Sequence, residues 1–131
     1  MNSTYYDFGT AAERWARAQQ FFDAQEYVTA AGILDGLVAE VPEQVGPRLL
    51  LARAYYHSAR LRKAETELLA VLERDPVEQY ARLMLGRTLE RQGRDGEAAP
   101  HLRMAAALAG DFPATDSTDN TGGSGNTGST V

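Results

Sequence analysis

Apolar residues recur along most of this chain at the three- and four-residue spacing of amphipathic α-helices. Leu51, Ala54, Tyr55 and Ser58 follow this spacing in one segment, and residues 61–72 follow it in the next. A short polar break separates the two segments, and a proline or a glycine ends the second segment. The pattern predicts pairs of short helices joined by tight turns.

This two-helix unit occurs three times in succession with one constant period. Six columns of matching residues are in register across the three units: Pro42, Pro76 and Gly110; Ala30, Ala64 and Ala98; Leu34, Leu68 and Leu102; Phe21, Tyr55 and Leu89; Ala18, Ala52 and Gly86; Leu37, Val71 and Ala105. The breaks inside the units lie at Gln25-Glu26, Ala59-Arg60 and Gln92-Gly93-Arg94. Because a unit of two short helices cannot bury its apolar face alone, we expect the three units to stack.

The period and the columns resemble the tetratricopeptide repeat, a helix–turn–helix unit of about 34 residues. When the units are numbered from Ala11, Val45 and Gln79, the small, aromatic, alanine, large apolar and proline columns fall at the family's positions. The resemblance implies an all-α fold, a right-handed α-solenoid of three helix–turn–helix repeats. The repeats are expected at residues 11–44, 45–78 and 79–112, within a repeat region of 11–113.

The first and last units depart from the family's pattern. Arg17 occupies position 7, where the other two units carry leucine. The tryptophan typical of position 4 is missing, although Trp15 lies one place later. In the last unit Pro100 lies one turn inside the final helix, so this helix is expected to start late or to bend.

In the family, the first helices of successive units line a concave groove that holds an extended peptide or a helix of a partner. The resemblance implies that this groove is lined here by Trp15, Gln19, Phe22, Leu49, Arg53, Tyr56, His57, Tyr80, Leu83, Arg87 and Arg91. Aromatic residues and arginine are the types that most often anchor protein interfaces. We therefore expect a protein or peptide partner with acidic and apolar residues, bound by an adaptor or scaffold.

Several of these side chains also have a purely structural interpretation. Trp15 and Phe22 are equally well placed to be partly core. Tyr55 fills the aromatic column and is expected in the core, which leaves Tyr56 as the better groove residue.

The arginines of the groove also leave two interpretations open. Arg53 and Arg87 are either stacked in one column to bind a partner, or are merely solvated or paired with Glu90 and Asp23. Chaperone-binding members of the family clamp a terminal carboxylate with lysine and asparagine, and that role is not expected here. The comparable positions hold Trp15, Gln19, Leu50, Tyr80 and Met84.

The last helix carries a second surface of interest. Met104 and Leu108 are four residues apart and therefore lie on one face, and no further polar helix covers the last unit. This favours self-association into a homodimer through Met104, Leu108 and Phe112. In the alternative, Phe112 folds back over Leu108 past Gly110 and fills the gap itself.

Both ends of the chain fall outside the repeats. Residues 1–10 form an extended or capping segment in which Tyr5, Tyr6 and Phe8 are expected to be ordered, because three free aromatic rings would expose an apolar patch. The segment either caps the first unit, which we favour, or lies in the groove. Residues 114–131 are rich in glycine, serine and threonine and are predicted to be disordered.

Charge and composition narrow the functional classes. The net charge of −5 argues against RNA binding, although the column of Arg53, Arg87 and Arg91 keeps it as a less favoured alternative. The basic cluster Arg60, Arg62 and Lys63 is expected to be a solvated surface. The absence of a signal-peptide pattern and of long apolar runs predicts a cytoplasmic protein, and the abundance of arginine over lysine suggests a bacterial source.

No motif for catalysis is present in the sequence. There is no cysteine, and His57 and His101 belong to different units. Neither a serine in a nucleophile turn nor a glycine-rich phosphate loop occurs. We expect no enzyme activity, no cofactor and no metal site.

Overall fold

The computed structural model describes residues 6–110, and this part of the chain contains six α-helices and no strand. The helices are α1 (Ala11–Asp23), α2 (Tyr27–Glu40), α3 (Val45–His57), α4 (Leu61–Arg74), α5 (Gln79–Arg91) and α6 (Asp95–Leu108). Each helix packs mainly on the helices that precede and follow it in the chain. The predicted all-α solenoid is therefore confirmed. None of these six helices is long and apolar enough to cross a bilayer.

The helices and their turns follow the period of the sequence. The first helices α1, α3 and α5 begin one period apart, and so do the second helices α2, α4 and α6. The turn inside each pair contains one residue with a left-handed backbone: Gln25 (φ 63°), Ala59 (φ 61°) and Gly93 (φ 75°). In each turn the next N–H donates to the carbonyl five residues earlier, at 2.8–2.9 Å. This bond satisfies a carbonyl that the end of the helix would otherwise leave free.

The core lies between the two helices of each unit and between neighbouring units. The alanine column is at most 1% exposed: Ala30, Ala64 and Ala98. Leu34 and Leu68 are fully buried, whereas Leu102 in the third unit is partly exposed. A Cβ built on Gly86 would lie 2.6 Å from Cγ of Leu102. Glycine replaces the alanine of the other units here because Leu102 approaches the backbone of α5 so closely.

Pro100 does not delay the final helix, so the expected late start is wrong. Helix α6 begins at Asp95, and the Ala98 N–H donates to the Arg94 carbonyl (3.0 Å), as the matching residues do in the other units. Pro100 is the sixth residue of α6, so the carbonyl that loses its N–H donor is that of Gly96 in the first turn. Gly96 is exposed, and water can replace the missing donor.

An arginine at position 4 of each unit ties the first helix to its surroundings. Arg14 forms two hydrogen bonds with Glu40, at 2.8 and 2.7 Å, and so joins α1 to α2. Arg48 pairs with Glu67 (2.8 Å) and also donates to the Pro42 carbonyl (3.1 Å) of the preceding loop. These bonds link the two helices of a unit and, in the second unit, link that unit to the one before it.

The third unit repeats this arrangement with a histidine in place of the glutamate. Arg82 donates to the Pro76 carbonyl, and its Nη1 lies 3.2 Å from Nδ1 of His101. Burial lowers the pKa of His101, and the nearby charge of Arg82 lowers it further. The imidazole is therefore neutral at pH 7 and accepts a hydrogen bond from Arg82.

The described part of the N-terminal segment lies against α1, away from the predicted groove residues. Arg17 donates to the carbonyls of Tyr6 (2.7 Å) and Phe8 (2.8 Å). Its guanidinium carbon lies 3.9 Å from the centroid of the Phe8 ring, and Tyr6 packs edge-on against Phe21. Arg17, at the position where the family carries leucine, therefore holds this segment against α1. Tyr5, Phe112 and the predicted tail lie outside the described residues.

Candidate functional site

Residues of α1, α3 and α5 line a pocket of about 480 Å³, which we call the groove pocket. Six predicted groove residues line it: Trp15, Gln19, Phe22, Leu49, Arg53 and Tyr80. Asp23, Gly46 and Leu50 complete the lining. Because all three repeats contribute side chains, the pocket depends on the stacking of the array.

Arg53 of the second repeat connects aromatic rings of the first and third repeats. Its guanidinium carbon lies 4.8 Å from the centroid of Phe22 and 5.7 Å from that of Tyr80. Its Nε is buried without a hydrogen-bond partner, and the guanidinium forms no hydrogen bond or ion pair with any residue from 6 to 110. The alternative pairing with Asp23 is not formed. The two rings therefore hold a cation whose hydrogen-bonding capacity is unused.

The other two predicted groove arginines are engaged elsewhere. Arg87 is exposed and pairs with Glu90 at 3.0 Å, as the structural interpretation had it. Arg91 donates to the Tyr56 carbonyl (2.9 Å) at the end of α3, and its guanidinium covers the Tyr56 ring at 4.6 Å. The Tyr56 carbonyl also accepts from the Ala59 N–H at 3.1 Å. The bond from Arg91 to this carbonyl competes with any role of Arg91 in the groove. Arg87, Arg91 and Tyr56 do not line the groove pocket.

His57 lies in an aromatic cluster beside the groove pocket. Its ring stacks on Tyr27 with 4.7 Å between centroids, and it contacts Phe22 edge-on at 5.8 Å. Burial lowers the pKa of His57, and the charges of Arg53 and Arg91 lower it further. His57 is exposed, contacts the Phe22 wall of the groove pocket and does not line the pocket itself.

The aromatic residues expected in the core or in the groove differ in how far they are buried. Phe22 is only 9% exposed, so it is a core residue that also forms one wall of the pocket. Trp15 is half-buried and keeps a surface towards the pocket. Tyr55 is 6% exposed, in agreement with its expected core position. Leu83 is half-buried on α5 and does not line the pocket.

A second pocket adjoins the first at Trp15, and the sequence interpretation missed it. It has a volume of about 460 Å³ and is lined by Ala11, Ala12, Trp15, Leu37, Val41, Gln44, Gly46 and Pro47. Trp15 and Gly46 belong to both pockets. The small residues Ala12 and Gly46 occupy matching positions of their units, and they were the sequence signal for open space here. We call this space the apolar pocket.

The surface predicted for self-association is only partly apolar. Met104 is 46% exposed, and Leu108 is half-buried on the same helix. Helix α6 packs mainly on α5, so none of the other described helices covers most of its other side. Phe112 lies outside the described residues.

Among residues 6–110, no three histidine, aspartate or glutamate side chains are arranged to hold a metal ion. His57 contacts aromatic rings and His101 contacts Arg82. Both histidines are therefore engaged by neighbouring side chains.

Comparison with known proteins places the chain among repeat proteins of this type. The tetratricopeptide repeat family model matches residues 21–85. A sequence search of curated proteins gives no match. A solved MamA point mutant shares 22% identity at a TM-score of 0.72, covering 75% of this chain and 72% of that one.

Two further MamA structures share the fold. MamA AMB-1 is 21% identical with a TM-score of 0.75, covering 79% of this chain and 61% of that one. MamA from Desulfovibrio magneticus RS-1 is 21% identical with a TM-score of 0.71, covering 79% and 58%. The chain therefore spans less than two thirds of the length of these two proteins, and the likeness concerns the fold alone.

Proposed function

The chain belongs to the tetratricopeptide repeat proteins, and we propose that it is a non-enzymatic adaptor or scaffold that holds a segment of a partner protein. The segment lies in the groove pocket and carries acidic and apolar residues. Arg53 carries this proposal, because its guanidinium is held between Phe22 and Tyr80 without an acceptor among residues 6–110.

An acidic side chain is the proposed ligand of Arg53. A carboxylate accepts two parallel hydrogen bonds from a guanidinium. The two aromatic rings hold the arginine in place before the partner arrives, so little side-chain entropy is lost on binding. Asp23 lines the same pocket and forms no ion pair with the described residues. Its negative charge disfavours a uniformly acidic segment, so the proposed segment places one acidic residue among apolar ones.

The apolar pocket is proposed to hold an apolar side chain of the same segment. It shares Trp15 and Gly46 with the groove pocket, so a segment that fills both passes over Trp15. Leu37, Val41 and Pro47 supply aliphatic surface there, and burial of such surface contributes about 25 cal/mol per Å². The charged and apolar contacts together define a short two-part motif.

Selection of random displayed peptides on the immobilised full chain tests this function. We expect enrichment of peptides that place an aspartate or glutamate beside aliphatic or aromatic residues. Selection on an Arg53→Gln variant should lose these peptides, and selection on an Arg87→Gln variant should keep them. Enrichment of the same peptides on the Arg53→Gln variant would contradict the proposal. RNA binding, the less favoured alternative, would instead weaken steeply with added salt.

Self-association through the last helix is the second proposed function. The exposed Met104 favours it, because α6 has mainly α5 as its neighbour and its outer side would be covered in a dimer. Paired copies related by a twofold axis are the commonest arrangement of identical chains.

A further inference from the structure

The boundary between the second and third repeats contains an ion-pair network. Glu65 of α4 accepts two hydrogen bonds, at 2.7 and 3.1 Å, from Arg94 in the turn between α5 and α6. Gln92 donates to the same carboxylate at 3.1 Å, and Glu97 also pairs with Arg94 at 2.8 Å. The guanidinium of Arg94 is thus saturated by two carboxylates, one of them from the preceding repeat.

The same boundary one repeat earlier keeps the arginine and lacks both carboxylates. Three residues at this earlier boundary lie one period before the residues of the network. Arg60 matches Arg94, Ala31 matches Glu65 and Lys63 matches Glu97. The guanidinium of Arg60 forms no hydrogen bond or ion pair with residues 6–110, and its Nε is buried without a partner. The network around Arg94 contains the two carboxylates of Glu65 and Glu97. The matching positions around Arg60 contain no carboxylate and one further basic group, Lys63.

A pocket of about 280 Å³ lies at this position. It is lined by Tyr6, Val28, Thr29, Ala31, Gly32, Asp35, Tyr55, Arg60 and Lys63. Ala31 and Gly32 leave the space open because their side chains are small. Asp35 is on the wall and forms no ion pair with Arg60 or Lys63 within the described chain. Arg60 and Lys63 were expected to be a solvated surface; Lys63 is exposed and Arg60 half-buried, and both line this pocket.

Aromatic contacts hold the two cations in place. The guanidinium carbon of Arg60 lies 4.8 Å from the centroid of the Tyr55 ring, and Nζ of Lys63 lies 5.7 Å from it. Tyr55 is 6% exposed and therefore fixed in the core. The basic groups are positioned before any ligand arrives, which lowers the entropy cost of binding.

We propose that this pocket between α2 and α4 binds a glutamate or aspartate side chain of a partner protein. This carboxylate accepts hydrogen bonds from Arg60, as the Glu65 carboxylate does from Arg94. Val28 is 64% exposed beside the pocket and contacts an apolar neighbour of that acidic residue. The site is separate from the groove pocket, which residues of the first helices line. The protein thus has a second docking point on its second helices.

Nuclear magnetic resonance of the arginine Nε–H groups tests the site directly. The probe is Nα-acetylglutamate α-amide, and its neutral control is Nα-acetylglutamine α-amide. We expect the Arg60 signal of the parent chain to shift and saturate at millimolar probe, whereas the Arg94 signal stays unchanged because Arg94 is already paired. No saturable shift at Arg60, or an equal shift with the neutral control, would overturn the proposal.

An Ala31→Glu variant fills the site with an internal carboxylate. We expect its melting temperature to rise by about 4 °C and its affinity for the probe to fall about tenfold, with neither change in Ala31→Gln. Undiminished probe binding by a folded Ala31→Glu variant would contradict the site. If this variant does not fold, Arg60→Gln replaces it, and unchanged probe binding by Arg60→Gln contradicts the site equally.

Dipeptide probes decide whether the carboxylate comes from a protein. The better of acetyl-Leu-Glu-amide and acetyl-Glu-Leu-amide should bind more tightly than the single-residue probe, because leucine reaches Val28. A Val28→Ser variant should lose this gain and keep the affinity for the single-residue probe. Equal affinities of all three probes for the parent chain would contradict a protein partner.

Discussion

Arginine has two roles in this protein, and the neighbouring positions decide which one each arginine takes. Arg48 and Arg94 each pair with a carboxylate on another helix, Glu67 and Glu65 respectively, so they fasten one helix or repeat to another. Arg53 and Arg60 lie over aromatic rings and find no acceptor among residues 6–110. The first kind explains how the array holds together, and the second kind marks the surfaces that we propose for binding.

Adjacent leucines on α4 give a test of the core at the residue scale. Leu68 is fully buried and Leu69 is 48% exposed. We expect Leu68→Ala to lower the free energy of unfolding by about 2–5 kcal/mol, because it leaves a cavity. Leu69→Ala, the matched control, should lower it by less than about 1 kcal/mol. Urea unfolding followed by circular dichroism measures both, and equal losses would contradict the packing described.

The two histidines predict how stability changes with pH. Their pKa values are lowered in the folded chain, so below about pH 6.5 the unfolded chain binds more protons than the folded one. The free energy of unfolding should therefore fall as the pH drops from 7 towards 5. His101→Gln keeps an acceptor for Arg82 and should show a shallower fall, as should His57→Gln. Slopes equal to that of the parent in both variants would contradict this account.

At the scale of elements, the turns inside the units are equivalent in backbone but not in sequence. The left-handed residue is glycine only in the third turn, at Gly93, and it is Gln25 and Ala59 in the others. A side chain in this conformation costs about 1–2 kcal/mol. The first two turns therefore retain strain that the repeated hydrogen bonds around them offset.

Exchanging alanine and glycine between two of these turns tests the strain. We expect Ala59→Gly to raise the free energy of unfolding by about 0.5–1 kcal/mol. The gain is smaller than the strain that is relieved, because glycine also increases the conformational entropy of the unfolded chain. Gly93→Ala should lower it by a similar amount, since a Cβ at Gly93 meets nothing within 4 Å and only the backbone effect remains. Thermal unfolding of both variants is the measurement. Changes of the same sign would refute the assignment.

The sequence predicts elements well and side-chain engagement less well. The helices, their turns and the buried columns follow from a spacing that repeats three times. A departure in one unit therefore does not obscure the pattern, because the other two units still show it. The roles of Arg87 and Arg91 do not follow from that spacing, because Glu90 and the Tyr56 carbonyl compete for them in the folded chain. The pocket at Arg60 could be predicted only by comparing Ala31 with Glu65 across one period.

At the scale of the whole molecule, charge is distributed unevenly along the array. Residues 11–44 carry two basic and six acidic side chains, a net of −4, whereas residues 45–78 carry six basic and five acidic, a net of +1. Both proposed docking points use a basic group of the second repeat. An acidic partner is therefore attracted to the second repeat. The negative charge of the first repeat repels acidic residues of the partner that would extend over it.

The oligomeric state is the second property at this scale. The self-association proposal predicts a dimer by light scattering at micromolar concentration, and Met104→Glu should yield a monomer by placing a charge in the interface. Val77 is 64% exposed on another part of the surface, so Val77→Glu is the matched control and should leave the dimer intact. A monomeric parent chain would remove the proposal.

The affinity of one selected peptide for three forms of the chain tests the central claim about the groove pocket. Isothermal titration should give a dissociation constant at least about tenfold weaker for Arg53→Gln than for the parent, because a paired arginine at a desolvated contact is lost. Arg87→Gln, which removes an exposed arginine outside the pocket, should bind within about twofold of the parent. Equal affinity of the parent and Arg53→Gln would contradict the account.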